Sequence, residues 1–193
     1  DEYLSGNVKK KLSEAIELAK KNDLYKRNVA ALTEVIPKDV FASAIEVNLG
    51  ARWVPTKTYE EFINHIFNTR SSVSYSTSTD EFSVKANKTV EITNKYAVKN
   101  KDGDVLKDGL DLLDDAMHNK TTVLRKKVSS KPDRYEVMLD ETATAKEKQD
   151  EIKELFKDWI WKSEQRREEL GRLYNDLYNT DVKRKHDGSK LTF

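Results

Sequence analysis

The spacing of the apolar residues changes twice along the chain, and this change constrains the fold more than any other feature. Up to about residue 69, apolar residues recur every three or four positions, as on one face of a helix. Between about residues 70 and 139 they alternate with polar residues, which is typical of half-buried strands. Helical spacing then returns. The clearest helical stripe consists of Tyr59, Phe62, Ile63, Ile66 and Phe67.

This order of helices, strands and helices predicts an α+β fold rather than a repeating βαβ fold. We expect an antiparallel sheet of about four to five strands, packed with N-terminal and C-terminal helices. Residues 1–180 are predicted to form a single domain, helical over 1–69, strand-rich over 70–139 and helical over 140–180. Residues 181–193 are predicted to be a C-terminal extension. Six glycines and three prolines in 193 residues leave no long flexible linker.

The composition excludes several classes of protein. The chain has no cysteine, so disulfides, thiolate catalysis and cysteine metal sites are excluded. No segment approaches the roughly 20 consecutive apolar residues of a membrane-spanning helix. We therefore expect a soluble, cytoplasmic protein. Because residue 1 is Asp and the sequence ends in Leu191-Thr192-Phe193, we also expect it to be a segment of a longer chain.

The usual catalytic and cofactor motifs are missing from the sequence. It contains no Gly-Lys dipeptide for a phosphate-binding P-loop, and its glycines do not have dinucleotide-binding spacing. We expect no catalytic residue, no metal ligands and no cofactor in this chain. Four carboxylates at helical spacing could hold a divalent ion in a hydrolase, but a solvated acidic helix face is the preferred interpretation. These residues are Asp104, Asp108, Asp111 and Asp115.

Charge is balanced overall but not locally. The chain has 35 Lys and Arg against 34 Asp and Glu. Residues 102–119 contain six Asp and one Lys, a net charge of −5, whereas residues 120–134 contain six Lys or Arg and one Asp, a net charge of +5. The basic segment is predicted to be a hairpin that contacts nucleic-acid phosphates, and neutralisation of the neighbouring acidic helix is an equal alternative. The predicted DNA-binding residues are Arg125, Lys126, Lys127, Lys131 and Arg134, with a second cluster at Lys183, Arg184 and Lys185.

Two neighbouring tryptophans point in different directions. Trp159 and Trp161 are about 200° apart on a helix, so only Trp159 belongs to the apolar stripe. We expect Trp161 to pack against another part of the protein, with stacking on a base as the alternative. Leu191 and Phe193 are predicted to contribute to the same interdomain contact.

Several short stretches resemble one protein family. They are Tyr3 to Val8 (YLSGNV), Glu46 to Pro55 (EVNLGARWVP), Phe156 to Trp161 (FKDWIW), Tyr174 to Asn179 (YNDLYN) and Asp187 to Phe193 (DGSKLTF). In this order they resemble the large DNA methylase/helicase proteins of plasmids, phages and integrative conjugative elements, often called Snf-type helicases and related to phage antirestriction proteins. In that family such segments lie between a methylase-like part and a superfamily II helicase motor.

The resemblance implies that this chain is a non-catalytic accessory domain that assists DNA binding or positions the motor. ATP and Mg would be bound by the motor of the longer protein, an ATP-dependent helicase with DNA methyltransferase activity, and residues 181–193 would lead toward that motor. The expected partners are the rest of the parent chain and duplex DNA, in the bacterial cytoplasm and without a membrane. The alternative is a protein-interaction scaffold that packs against the motor or the methylase without touching DNA.

Overall fold

The computed structural model describes residues 2–128 and 134–184, and within them the predicted α+β class is confirmed. The α-helices are α1 (Val8–Ala19), α2 (Lys26–Val35), α3 (Thr56–Phe67), α4 (Gly109–Met117), α5 (Leu139–Ile160) and α6 (Glu164–Tyr178). The strands are β1 (Gly6–Asn7), β2 (Ser71–Ser76), β3 (Glu81–Ala86), β4 (Val98–Lys99), β5 (Val105–Lys107), β6 (Arg125–Lys127), β7 (Tyr135–Val137) and β8 (Asp181–Val182).

The strands form small antiparallel pairs instead of one sheet. The pairs are β1 with β8, β2 with β3, β4 with β5, and β6 with β7. The prediction of a sheet of four to five strands was therefore wrong. Alternation of apolar and polar residues identifies strands, but it does not show which strands become neighbours.

The outer edge of β2 shows why the longest pair does not grow into a larger sheet. The backbone amide of Ser71 donates to Asn64 Oδ1 at 2.8 Å, and that of Val73 donates to Glu60 Oε1 at 2.8 Å. Both acceptors lie on α3, so side chains of a helix take the hydrogen bonds that a third strand would otherwise make. Helix α3 thus ends the sheet on this side.

The chain divides into two compact units. Unit 1 consists of Asp1–Ile45 together with Gln165–Phe193, and unit 2 is Glu46–Glu164. The predicted extension begins at Asp181, and its first two residues form β8, which pairs with β1 near the other end of the chain.

Unit 1 is built around the packing of α1 against α2. Its buried core contains Val8, Ala15 and Leu32, with Leu12 and Val29 packed against them. Helix α1 begins where the side chain of Asn7 accepts a hydrogen bond from the amide of Lys10 at 2.8 Å, the expected role of Asn at a helix start. The apolar stripes predicted from spacing are therefore the faces that meet.

Unit 2 has an aromatic core between α3, α5 and the β2–β3 hairpin. Phe156 stacks on Tyr59 with ring centroids 5.6 Å apart and meets Phe62 edge-on at 5.1 Å. Phe82 of β3 meets Tyr59 edge-on at 5.4 Å. Tyr59, Phe62 and Phe156 are completely buried, and such rings contribute both a large apolar area and favourable pair geometry. This core fixes the position of α5. The base of the basic hairpin is hydrogen-bonded to α5.

One glycine of unit 2 is required by close packing. Gly50 has φ +88°, and a Cβ at this position would lie 2.0 Å from the carbonyl oxygen of Met117. Both the positive φ and the contact exclude any larger residue without a shift of the backbone. The loop at Gly50 is thereby held against the end of α4.

One finer sequence prediction differs from the structure. Within the range 70–139, which is predicted to be strand-rich, the chain forms no strand at Val90 and Ile92 and instead makes a π-helical turn at Glu91–Lys95. Thr89 starts this turn, since its carbonyl accepts the amide of Thr93 at 3.0 Å and its hydroxyl donates to the carbonyl of Phe67 at 2.7 Å.

Across residues 2–128 and 134–184, no helix has the length and apolar character needed to cross a membrane.

Candidate nucleic-acid interface

The basic segment singled out by charge forms a hairpin, as predicted. Strands β6 and β7 pair antiparallel, with Arg125 opposite Val137, Lys126 opposite Glu136 and Lys127 opposite Tyr135. All six residues are exposed. The pairing continues past the strands, because the amide of Val128 donates to the carbonyl of Arg134 at 2.9 Å.

The base of the hairpin is fastened to the first turn of α5. The amide of Met138 donates to the carbonyl of Leu124 at 2.9 Å. The amide of Leu124 in turn donates to the hydroxyl of Thr142 at 3.0 Å. Leu124 is buried, whereas the strands that follow it are not. The hairpin is thus an exposed element on a fixed base.

The segment leading into the hairpin is held by two buried polar side chains. The hydroxyl of Thr122 donates to Asp115 Oδ2 at 2.6 Å, and Gln149 Nε2 donates to the carbonyl of Lys120 at 2.8 Å. Thr122 and Gln149 are 3% and 1% exposed. Buried polar groups that are fully hydrogen-bonded specify one backbone path, because any other path would leave them unsatisfied.

The described cations of the hairpin have no acidic partner among residues 2–128 and 134–184. Arg125, Lys126, Lys127 and Arg134 are exposed, and none of them forms an ion pair with another residue of the described chain. The described part of the hairpin carries one carboxylate, Glu136, against these four cations. The hairpin is therefore a locally positive surface.

Two carboxylates of the acidic segment pair with lysines that are not in the hairpin, Lys88 outside the segment and Lys107 within it. Lys88 Nζ lies 2.7 Å from Asp108 Oδ2, and Lys107 Nζ lies 2.9 Å from Asp115 Oδ2. Asp108 also caps α4 by accepting the amides of Leu110 and Asp111, each at 3.0 Å. The two least exposed carboxylates of the segment are thus neutralised by lysines outside the basic hairpin.

The ionisation of both carboxylates follows from these contacts. Burial alone would raise the pKa of Asp108, but the bond from Lys88 and the amides at the start of α4 outweigh it and lower that pKa. Burial likewise opposes ionisation of Asp115, and the Thr122 hydroxyl and Lys107 ammonium outweigh it, so its pKa is also lowered. Both groups are therefore held as carboxylates.

Comparison with protein-family models matches residues 48–180 to a family described as "Domain of unknown function (DUF8437)". The chain belongs to the DUF8437 family. The match spans more than half of the chain and includes the basic hairpin, its base and nearly all of unit 2. Comparison with the curated proteins found no match, and neither did comparison with the solved structures.

The second predicted basic cluster lies beyond the DUF8437 match. Lys183 and Arg184 follow β8 in unit 1, and Arg184 forms an ion pair with Glu2 at 3.0 Å. Lys183 is exposed. Lys131 and Lys185 fall outside the described residues. The structure thus brings Arg125, Lys126, Lys127 and Arg134 together in one hairpin of unit 2.

The predicted interdomain contact lies only in part within the described chain. Trp161 follows the last residue of α5, inside the DUF8437 match, and is half-buried. Leu191 and Phe193 lie outside the described residues. Trp159 packs as predicted, with its ring centroid 5.4 Å from that of Phe62 in the core of unit 2.

Two residues of the β6–β7 hairpin were not predicted from the sequence as part of the candidate site. Tyr135 is 60% exposed and Val137 is 43% exposed. The register puts Tyr135 beside Lys127 and Val137 beside Arg125, and directly paired residues share one face of a hairpin. The available signal was the alternation of Tyr135 and Val137 with Glu136.

Proposed function

We propose that this chain is a non-catalytic accessory domain of a DNA helicase/methylase-like protein, and that the β6–β7 hairpin contacts DNA phosphates. The observation that supports this proposal most directly is the set of exposed cations at Arg125, Lys126, Lys127 and Arg134, which lack acidic partners among the described residues. Lysine and arginine bind phosphates by displacing condensed counterions, without reading the base sequence.

The alternative role for these cations was to neutralise the acidic segment. Lys88 and Lys107 already pair with Asp108 and Asp115. The four described hairpin cations form no ion pair with a carboxylate of this segment or with another described residue, so they remain available for a polyanion outside the chain. Their fixed base at Leu124 and Thr142 favours a contact surface of constant shape.

In this proposal the domain holds nucleic acid for a motor and performs no chemistry of its own. ATP and Mg would be bound by the motor of the parent protein. The resemblance of the stretches around Gly50, Trp159 and Tyr174 to the region ahead of such a motor supports this assignment. The partners are then DNA and the remainder of the parent chain.

The proposal is tested by fluorescence anisotropy with the whole chain and DNA of unrelated sequences at several salt concentrations. We expect similar affinities across sequences and a steep loss of affinity with salt, since each phosphate contact adds about 0.9 to the slope on duplex DNA. Arg125→Gln with Lys127→Gln should reduce the slope by about 2. A matched control is Lys21→Gln with Arg27→Gln, which removes the same charge from exposed positions of unit 1.

A protein-interaction scaffold is the second candidate function. Two apolar side chains of unit 1 favour it, because Leu24 is 75% exposed and Phe41 is 81% exposed. A scaffold that never touches DNA would show no difference between the hairpin variant and its control. Leu24→Ser with Phe41→Ser would instead weaken its association with the motor or methylase part, measured by co-purification.

A further inference from the structure

We infer that one face of the β6–β7 hairpin binds single-stranded nucleic acid, with the ring of Tyr135 stacked on an unpaired base and Arg125 and Lys127 on the neighbouring phosphates. This inference rests on the proposed phosphate contacts of the hairpin and specifies which form of nucleic acid it takes.

The ring of Tyr135 is exposed on the surface of unit 2. Its side chain is 60% exposed and forms no hydrogen bond or ring contact with another described residue. Other tyrosines of unit 2 are engaged: Tyr59 is buried and donates to the carbonyl of Ala51 at 2.8 Å, and Tyr75 donates to Asp80. The ring of Tyr135 is thus available to a ligand.

Two basic side chains lie on the same face of the hairpin as this ring. Lys127 is directly opposite Tyr135, and Arg125 lies two residues further along the same strand, so all three side chains share one face. Val137 completes this face opposite Arg125. An aromatic ring beside cations is the combination that binds single strands, because the ring stacks on a base while the cations follow the backbone.

The opposite face argues against insertion into a duplex groove. It carries the one carboxylate of the described hairpin, Glu136, opposite Lys126 and two residues after Arg134. A two-stranded ribbon in the major groove lies between the two phosphate backbones that border the groove, so the carboxylate of Glu136 would be repelled by their negative charge. A single strand lying across the Tyr135 face avoids this repulsion, and its bases are free to stack.

The whole chain is titrated with a labelled thymidine oligomer of about 20 nucleotides and with a mixed-sequence duplex of the same length. We expect tighter binding to the single strand. Tyr135→Ala should weaken it by roughly 5- to 150-fold, the equivalent of about 1–3 kcal/mol per stacked base. Tyr135→Phe should bind like the wild type. Tyr178→Ala is a control for the loss of an exposed tyrosine, since Tyr178 is 58% exposed and lies in unit 1, where its ring contacts Tyr174.

A stacking-specific readout comes from one 2-aminopurine placed in the thymidine oligomer. Its fluorescence should change on binding of the wild type and of Tyr135→Phe, and should change much less with Tyr135→Ala. Far-UV circular dichroism checks that each variant is folded.

The outcomes separate this inference from the proposed function. Unchanged single-strand affinity in Tyr135→Ala, together with loss of binding in Arg125→Gln with Lys127→Gln, overturns the stacking inference and leaves the phosphate contacts standing. Stronger binding to duplex than to single strand, increased further by Glu136→Gln, also overturns it in favour of a groove-inserted ribbon. Absence of salt-sensitive binding to either DNA overturns the proposed function itself.

Discussion

The side-chain amide of Asn175 binds both backbone groups of Val40. Asn175 Oδ1 accepts the amide of Val40 at 2.8 Å, and Nδ2 donates to its carbonyl at 3.0 Å. Asn175 is buried on α6, and Nδ2 also donates to the carbonyl of Gly171 at 2.8 Å. One side chain therefore joins the two segments of sequence that make up unit 1.

Asn175→Ala is expected to destabilise unit 1 by about 3 kcal/mol, because it removes four hydrogen bonds and leaves backbone groups of Val40 without partners. Urea unfolding followed by circular dichroism measures the change. The control is Asn28→Ala on α2, whose side chain forms no hydrogen bond with a described residue and which should change stability by less than about 0.5 kcal/mol. Equal effects of the two variants would contradict the assigned role of Asn175.

Gly50→Ala is expected to cost at least about 3 kcal/mol, because the new Cβ combines the strain of a positive φ with a clash against Met117. Gly103→Ala separates these causes. Gly103 has φ +93°, but a Cβ there meets nothing within 4 Å, so only the backbone strain of about 1 kcal/mol is expected. Thermal unfolding of both variants tests the difference, and a mild effect at Gly50 would show that its loop is not held against α4.

The stability of unit 2 should fall as the solution becomes acidic. The folded pKa values of Asp108 and Asp115 are lowered, so these carboxylates stabilise the fold above the ordinary Asp pKa of about 3.9. That stabilisation is lost as the pH falls through their folded pKa values. The unfolding free energy of Asp115→Asn, measured by urea titration, should therefore depend less on pH below 5 than that of the wild type.

Asp104→Asn provides the comparison for this experiment, because Asp104 is exposed and forms no ion pair with a described residue. Its acid dependence should match that of the wild type. If Asp115→Asn also kept the full acid dependence, the contacts with Lys107 and Thr122 would not be the source of the effect.

Residues 46–164 should fold without the rest of the chain, because the aromatic core of unit 2 and the base of its hairpin are contained in this segment. Residues 1–45 alone should not fold, since β8 and Asn175 come from the other end of the sequence. Cooperative thermal unfolding of each fragment tests both expectations. An unfolded 46–164 fragment would contradict this division.

The sequence allowed the helical spacing before residue 69, the stripe of α3, the strand-rich range 70–139 and the basic β6–β7 hairpin to be predicted, since each depends on spacing or charge within a short window. The association of strands could not be predicted in this way. Gly6 pairs with Val182 across almost the entire sequence, and no local pattern marks a pairing between two-residue strands.

Only the cations of the candidate site were predicted from the sequence. Arg125, Lys126 and Lys127 stand out by charge, but the role of Lys88 and Lys107 as partners of the acidic segment depends on tertiary contacts. Tyr135 was missed because its alternation with Glu136 and Val137 does not show which residues of the other strand share its face. The register with Lys127 supplied that information.

The pairing of β1 with β8 also determines how the chain would respond to mechanical tension. Gly6 and Val182 are opposite each other, so a pull applied before Gly6 and after Val182 would act on the same end of an antiparallel pair. Such a pull unzips hydrogen bonds one after another rather than shearing them together. Tension would reach Glu46–Glu164 only after unit 1 had opened. Until then the β6–β7 hairpin would bear no force.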